Sequence, residues 1–116
     1  MAAIAGLSPP PPNNSIRELS AVLGDDATRE IVRLFLNDFP VSIRGLETGT
    51  RENQLMIAHG LKSSALHMGA DSLSVRMAAL ESRLDTPGET ISAAELVAAL
   101  ADFEDIAPSL RQYAGA

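Results

Sequence analysis

"TRENQLMIAHGLKSSALHMG", residues 50–69, reads as one helix with two unlike faces. Thr50 is a favoured N-cap and Gly69 a favoured stop. At about 100° per residue, Ile57, Leu61, Ala65 and Met68 fall on one stripe, flanked by Ala58 and Ser64. Such a stripe predicts burial against other helices. His59 falls opposite its centre and is expected in solvent, with Lys62 and Ser63 one turn further along the same face. Leu55, Met56 and Leu66 share that outer face. Three large apolar side chains around an exposed histidine predict a docking surface.

The rest of the chain supplies partners for the stripe. "SIRELSAVLG", residues 15–24, carries Ile16, Leu19 and Val22/Leu23 at helical spacing, with Gly24 as its stop. "DDATREIVRLFLNDFPVSIRGLETG", residues 25–49, opens on an acidic N-cap at Asp25. Ile31, Leu34/Phe35, Ile43 and Leu46 form its expected stripe, and Pro40 predicts a kink. "DSLSVRMAALESRL", residues 71–84, places Leu73, Met77, Leu80 and Leu84 on one face before the breaking "DTPGE". The last helix starts at a capping box, Ser92 to Glu95, with Ile91 and Leu96 spaced as its hydrophobic staple. It runs to about Tyr113, with a second kink at Pro108. Short turns between long helices make antiparallel neighbours. The expected fold is therefore all-α: an antiparallel up-down-up-down four-helix bundle with a short leading N-terminal helix across one end.

Composition agrees with this class. The 116 residues suffice for one domain, and 46% of them are hydrophobic. Three phenylalanines and one tyrosine are the only aromatic residues, so the core must be largely aliphatic. "SPPPPNNS", residues 8–15, favours extended polyproline II. Residues 1–14 are expected to be a flexible proline-rich linker, and residues 15–116 the folded domain. Cysteine is absent, which excludes disulfides and thiolate metal sites and points to a reducing, cytoplasmic setting. No apolar run approaches the ~20 residues of a membrane span. "MAAIAGLS" lacks the basic start of a signal peptide. A net charge of −6 with no basic cluster argues against nucleic acid.

Charge around His59 is unusual for so acidic a chain. Lys62, the chain's only lysine, is the one ionised side chain between Asn53 and Ala70, and no carboxylate lies in that stretch. An exposed neutral imidazole is a nucleophile near neutral pH, since its ordinary pKa is about 6.5. A phosphoryl group placed on it would be repelled by nearby carboxylates and partly offset by a lysine one turn away. Ser63 is small where bulk would obstruct a partner, and its hydroxyl can donate a hydrogen bond. Gly60 costs about 1 kcal/mol of helix stability against alanine and keeps the neighbouring surface low. His59 and His67 stand eight residues apart, a poor spacing for a shared metal, and the helix offers no carboxylate or thiolate to join them. No metal site is expected.

Ala58-His59-Gly60-Leu61-Lys62-Ser63-Ser64, followed by Gly69-Ala70, Leu73 and Leu80-Glu81, resembles the histidine-containing phosphotransfer (HPt) domains of bacterial multistep phosphorelays. The motif covers residues 58–81, and the helical layout extends the likeness over about 15–113. The resemblance implies that His59 is the phospho-acceptor, through Nε2, and that Lys62 holds phosphoryl oxygens. Ser63 stands where glycine is the commoner choice in the family. Gly69 matches the glycine that closes the helix. Response-regulator receiver domains, and a hybrid sensor histidine kinase, are the implied partners of a monomeric carrier. The carrier itself needs no cofactor, because Mg²⁺ belongs to the receiver. The resemblance implies no autonomous kinase activity. The competing class is a non-catalytic helical-bundle module that binds protein through the same apolar face. A dimerising bundle or self-sufficient enzyme is weaker, since only His67 is available on this helix as a second group.

Overall fold

The structure, a computed structural model, describes residues 9–115. Those residues form five helices and no strands: α1 Asn14–Leu23, α2 Asp25–Thr48, α3 Arg51–His67, α4 Asp71–Leu84 and α5 Ala93–Ala114. The all-α class stands. The stretch read as linker lies outside the described residues from 1 to 8. Its far end does not behave as linker. Asn13 caps α1, its side-chain oxygen accepting from the Ile16 amide at 2.9 Å, and α1 begins at Asn14.

Local chemistry accounts for the helix ends. Thr50 caps α3 by accepting from the Asn53 amide at 3.2 Å. Ser92 and Glu95 close a reciprocal capping box on α5. The acidic N-cap expected at Asp25 is displaced by one residue. Gly24, with φ +87°, serves as both the end of α1 and the cap of α2, and no side chain caps α2. Asp25 turns sideways instead, accepting from Ser20 Oγ at 2.5 Å and from the Tyr113 hydroxyl at 3.1 Å. Both internal prolines sit within continuous helix.

The core joins all five helices. Its members include Ile16 of α1, Phe39 and Leu46 of α2, Ala58 and Leu61 of α3, Met77 of α4 and Phe103 of α5. Phe39 and Phe103 stack face to face at 4.7 Å, with Phe35 tilted 5.7 Å from each. Three of the chain's four aromatic rings thus knit α2 to α5. On α4 the stripe Leu73, Met77, Leu80 and Leu84 is buried as expected. On α2 the stripe differs. Val32, Phe35, Leu36, Phe39, Ile43 and Leu46 go inward, while Ile31 and Leu34 face solvent. Two apolar faces compete on this helix, and the larger, which carries Phe35 and Phe39, takes the core.

Helices adjacent in sequence are adjacent in space, and α2 also packs on α5; α1 lies on α2 and α3. The α3–α4 contact is the most extensive. Ala58 and Ala65, both fully buried, let the two axes come close. Gly45 does the same for α2 and α3, because a Cβ there would fall 2.6 Å from Ile57 Cδ1. Arg51 fastens the start of α3 to the end of α4, donating to the Leu84, Thr86 and Glu89 carbonyls at 2.5, 3.2 and 2.8 Å. The first of those carbonyls ends α4, where helical partners run out, and the other two follow it. Among the described residues no helix is long and apolar enough to cross a membrane.

Candidate functional site

His59 stands on the outer surface of α3 with its side chain 64% exposed. Its ring is nonetheless held. Glu81, from α4, places one carboxylate oxygen 2.6 Å from His59 Nδ1 and the other 2.6 Å from Lys62 Nζ. One carboxylate therefore bridges imidazole and ammonium. Lys62 holds the Glu81 carboxyl below the ordinary carboxylate range, and the bond from His59 adds to the effect against the opposing pull of partial burial. Ionised Glu81 can only accept, so Nδ1 carries the proton and donates it. When the ring is neutral its lone pair then lies on Nε2, the nitrogen not bound to Glu81.

The neighbouring packing explains why Glu81 arrives there. Leu80 is buried, which fixes the rotation of α4 and turns the next residue toward the seam with α3. Ser74, also buried, donates from Oγ to the Lys62 carbonyl at 3.1 Å and sets the register of the two helices. The reading of an acid-free surround is thus corrected. No carboxylate lies near His59 along its own helix, but one reaches it from the next, 22 positions on. The second convergent group that α3 lacks, His67 apart, is likewise supplied by Glu81 from α4. In the sequence Glu81 stands out only through the Leu80-Glu81 pair of the motif.

The other expected site residues divide. Lys62 is one turn from His59 and shares its partner, Glu81. Ser63 is half-buried. Gly60 is exposed, and a Cβ there would meet nothing within 4 Å, so the surface beside the imidazole is low. Met56, 71% exposed, and Leu66, 56% exposed, lie on the outer surface as expected. Leu55 does not. It packs half-buried against the core, because the first turns of α3 press on the neighbouring helices from a wider arc than one stripe.

Gly69 acts through backbone geometry. It takes φ +75°, and the Gly69 and Ala70 amides donate to the Leu66 and Ala65 carbonyls at 3.1 and 2.9 Å, closing the last turn of α3. A Cβ would collide with the Asn13 carboxamide. That carboxamide donates from Nδ2 to the Met68 carbonyl at 2.9 Å, so one side chain caps α1 and pins the α3–α4 turn.

Two grooves run along α3, the first beside Gly60. The first, about 380 Å³, lies between α2 and α3 and is lined by Phe35, Asp38, Met56, Gly60 and His67 among others. The second lies between α1 and the end of α3, against Leu19, Val22, Leu66 and His67. Among the described residues no group of three or more histidine or carboxylate side chains is arranged to hold a metal ion. Comparison with known proteins finds no match, neither a family model nor a curated protein nor a solved structure.

Proposed function

We propose that the chain is a phosphocarrier of the histidine phosphotransfer kind. In this reading α2 to α5 make an antiparallel up-down-up-down four-helix bundle with α1 laid across it. The observation that carries the reading is the His59 ring, tethered through Nδ1 to Glu81 and open at Nε2, with Lys62 beside it.

The chemistry follows from that geometry. A receiver domain docks with its phospho-aspartate in line with His59 Nε2. The Nε2 lone pair forms the N–P bond while the acyl phosphate O–P bond breaks, and its electron pair stays on the aspartate carboxylate. No proton needs to leave during the step. The ring gains positive charge, and the Glu81 carboxylate on Nδ1–H balances it. Lys62, one turn away, faces the incoming phosphoryl oxygens. The reverse step returns the phosphoryl group to the aspartate of another receiver. Mg²⁺ and the remaining charge compensation come from the receiver. A hybrid sensor histidine kinase is a fitting source of the first one. The carrier has no kinase activity of its own.

The test is direct. The protein is mixed with a receiver carrying labelled aspartyl phosphate, and label on His59 is sought as acid-labile, alkali-stable phosphate. Transfer to His59 is expected. Binding of phosphorylated receivers without transfer would refute the reading and favour the non-catalytic binding module.

A further inference from the structure

We infer that the two grooves form one docking strip for an amphipathic helix whose apolar stripe is flanked by lysine or arginine. The strip starts beside His59, so the inference deepens the phosphocarrier reading and rests on it for the partner's biological role. It rests on the surface itself for the partner's chemistry.

Apolar exposure is concentrated here. Val22, Leu23, Ile31, Leu34, Met56 and Leu66 are the large exposed aliphatics on α1, α2 and α3 that line the two grooves. Outside them, among the described residues, exposed large apolar side chains stand singly, as Val41, Val75 and Val97. His67 lines both grooves, which therefore share a wall. Along α2 the first groove runs from Ile31 to Ser42, about 16 Å at 1.5 Å per residue. That length matches three turns of a guest helix, which would seat side chains at i, i+4, i+7 and i+11. The open width at Gly60 leaves room for the guest next to the imidazole.

Charge selects the guest. Asp38 is the ionised residue in the first groove and Glu18 in the second, and no lysine or arginine lines either. Among the described residues both carboxylates stand apart from the ion pairs, which involve Asp26, Glu30, Glu81, Glu89, Glu95 and Asp102. Lys62, the nearest ammonium, is already bound to Glu81. An apolar floor with one carboxylate along each groove complements basic flanks. A second copy of this chain, itself at −6, is a poor match.

The probe is a designed 18-residue helix with a leucine stripe flanked by lysines, compared with a glutamate-flanked twin. Binding to the full chain is followed by NMR chemical shifts and titration. The lysine peptide is expected to shift Ile31, Leu34, Met56 and His67 and to weaken with added salt. Leu34→Ser should weaken it about tenfold through lost apolar contact. Asp38→Lys with Glu18→Lys should do so by about as much. Each of these residues is exposed, and circular dichroism checks that the variants stay folded. Equal binding of the twin peptides, shifts centred on α4 and α5, or self-association through the same residues would overturn the inference. Label transfer is measured separately: its loss with peptide binding intact tells against the phosphocarrier reading alone, and the converse tells against this one alone.

Discussion

Removing Glu81 probes the core of the chemistry. Its carboxylate lies 2.6 Å from both His59 Nδ1 and Lys62 Nζ. All three side chains are partly exposed, at 24% for Glu81, 31% for Lys62 and 64% for His59. Each pair is therefore worth about 0.2–1 kcal/mol rather than a buried pair's energy. Only the His59–Glu81 bond restrains the ring, so the bias toward the pose with Nδ1 tethered and Nε2 outward is about 0.2–1 kcal/mol. At 1.4 kcal/mol per factor of ten, that is about 1.4- to 5-fold in the population ready to react. Glu81→Ala should slow phosphoryl acceptance by that factor and let the neutral ring lose its Nδ1–H tautomer preference. Glu81→Gln keeps an accepting oxygen but no charge, and should fall between. The assay pairs the rate of label uptake with long-range ¹⁵N NMR of the His59 ring, and circular dichroism confirms the helices. An alanine variant with the wild-type tautomer balance and the wild-type rate would refute the role given to Glu81.

His59→Gln should abolish labelling and move stability by no more than about 0.5 kcal/mol, because the ring is exposed; a large fall in melting temperature would refute this. Gly69→Ala should destabilise by more than about 1 kcal/mol in thermal melts, since it combines a left-handed backbone with a collision against Asn13; an unchanged melt would show that the joint yields. Acid should weaken the fold. Hydrogen bonds from Ser20 and Tyr113 lower the Asp25 carboxyl, that from Lys62 lowers Glu81, and that from the Ser92 backbone lowers Glu95. A lowered carboxyl contributes stability that is complete above its unfolded pKa and is lost as the pH falls through its folded one. Denaturant midpoints should be level at neutral pH and drop below about pH 4. Alkali acts in the opposite sense. Burial first, and the bond to Asp25 next, raise the Tyr113 hydroxyl, so its contribution is full below about pH 10 and lost as the pH climbs beyond. A midpoint that held constant from pH 3 to 11 would contradict both.

Much of the fold was legible because burial leaves a period. Leu73, Met77, Leu80 and Leu84 could only be one face, and Ser92 with Glu95 could only be a start. On α2 the same logic misled. Ile31 and Leu34 are as apolar as the residues that go inward, and they line a groove instead. A helix with two apolar faces has no single reading. Asn13 looked like linker because its bond to Met68 spans 55 positions. The site was half legible. His59, Lys62 and Gly60 share one helix and follow from spacing. Glu81 comes from another helix, and only the packing of Leu80 and the bond from Ser74 bring it round.

Tyr113, in the last turn of α5, sets its ring beneath Arg29, whose guanidinium carbon is 5.6 Å from the ring centre, and its hydroxyl on Asp25. The sequence has one tyrosine and no tryptophan. Intrinsic fluorescence of this protein is therefore a single-point gauge, sited where the last helix meets the start of α2. Detachment of the carboxy-terminal turn, whether by denaturant or by force, would be read there without any label.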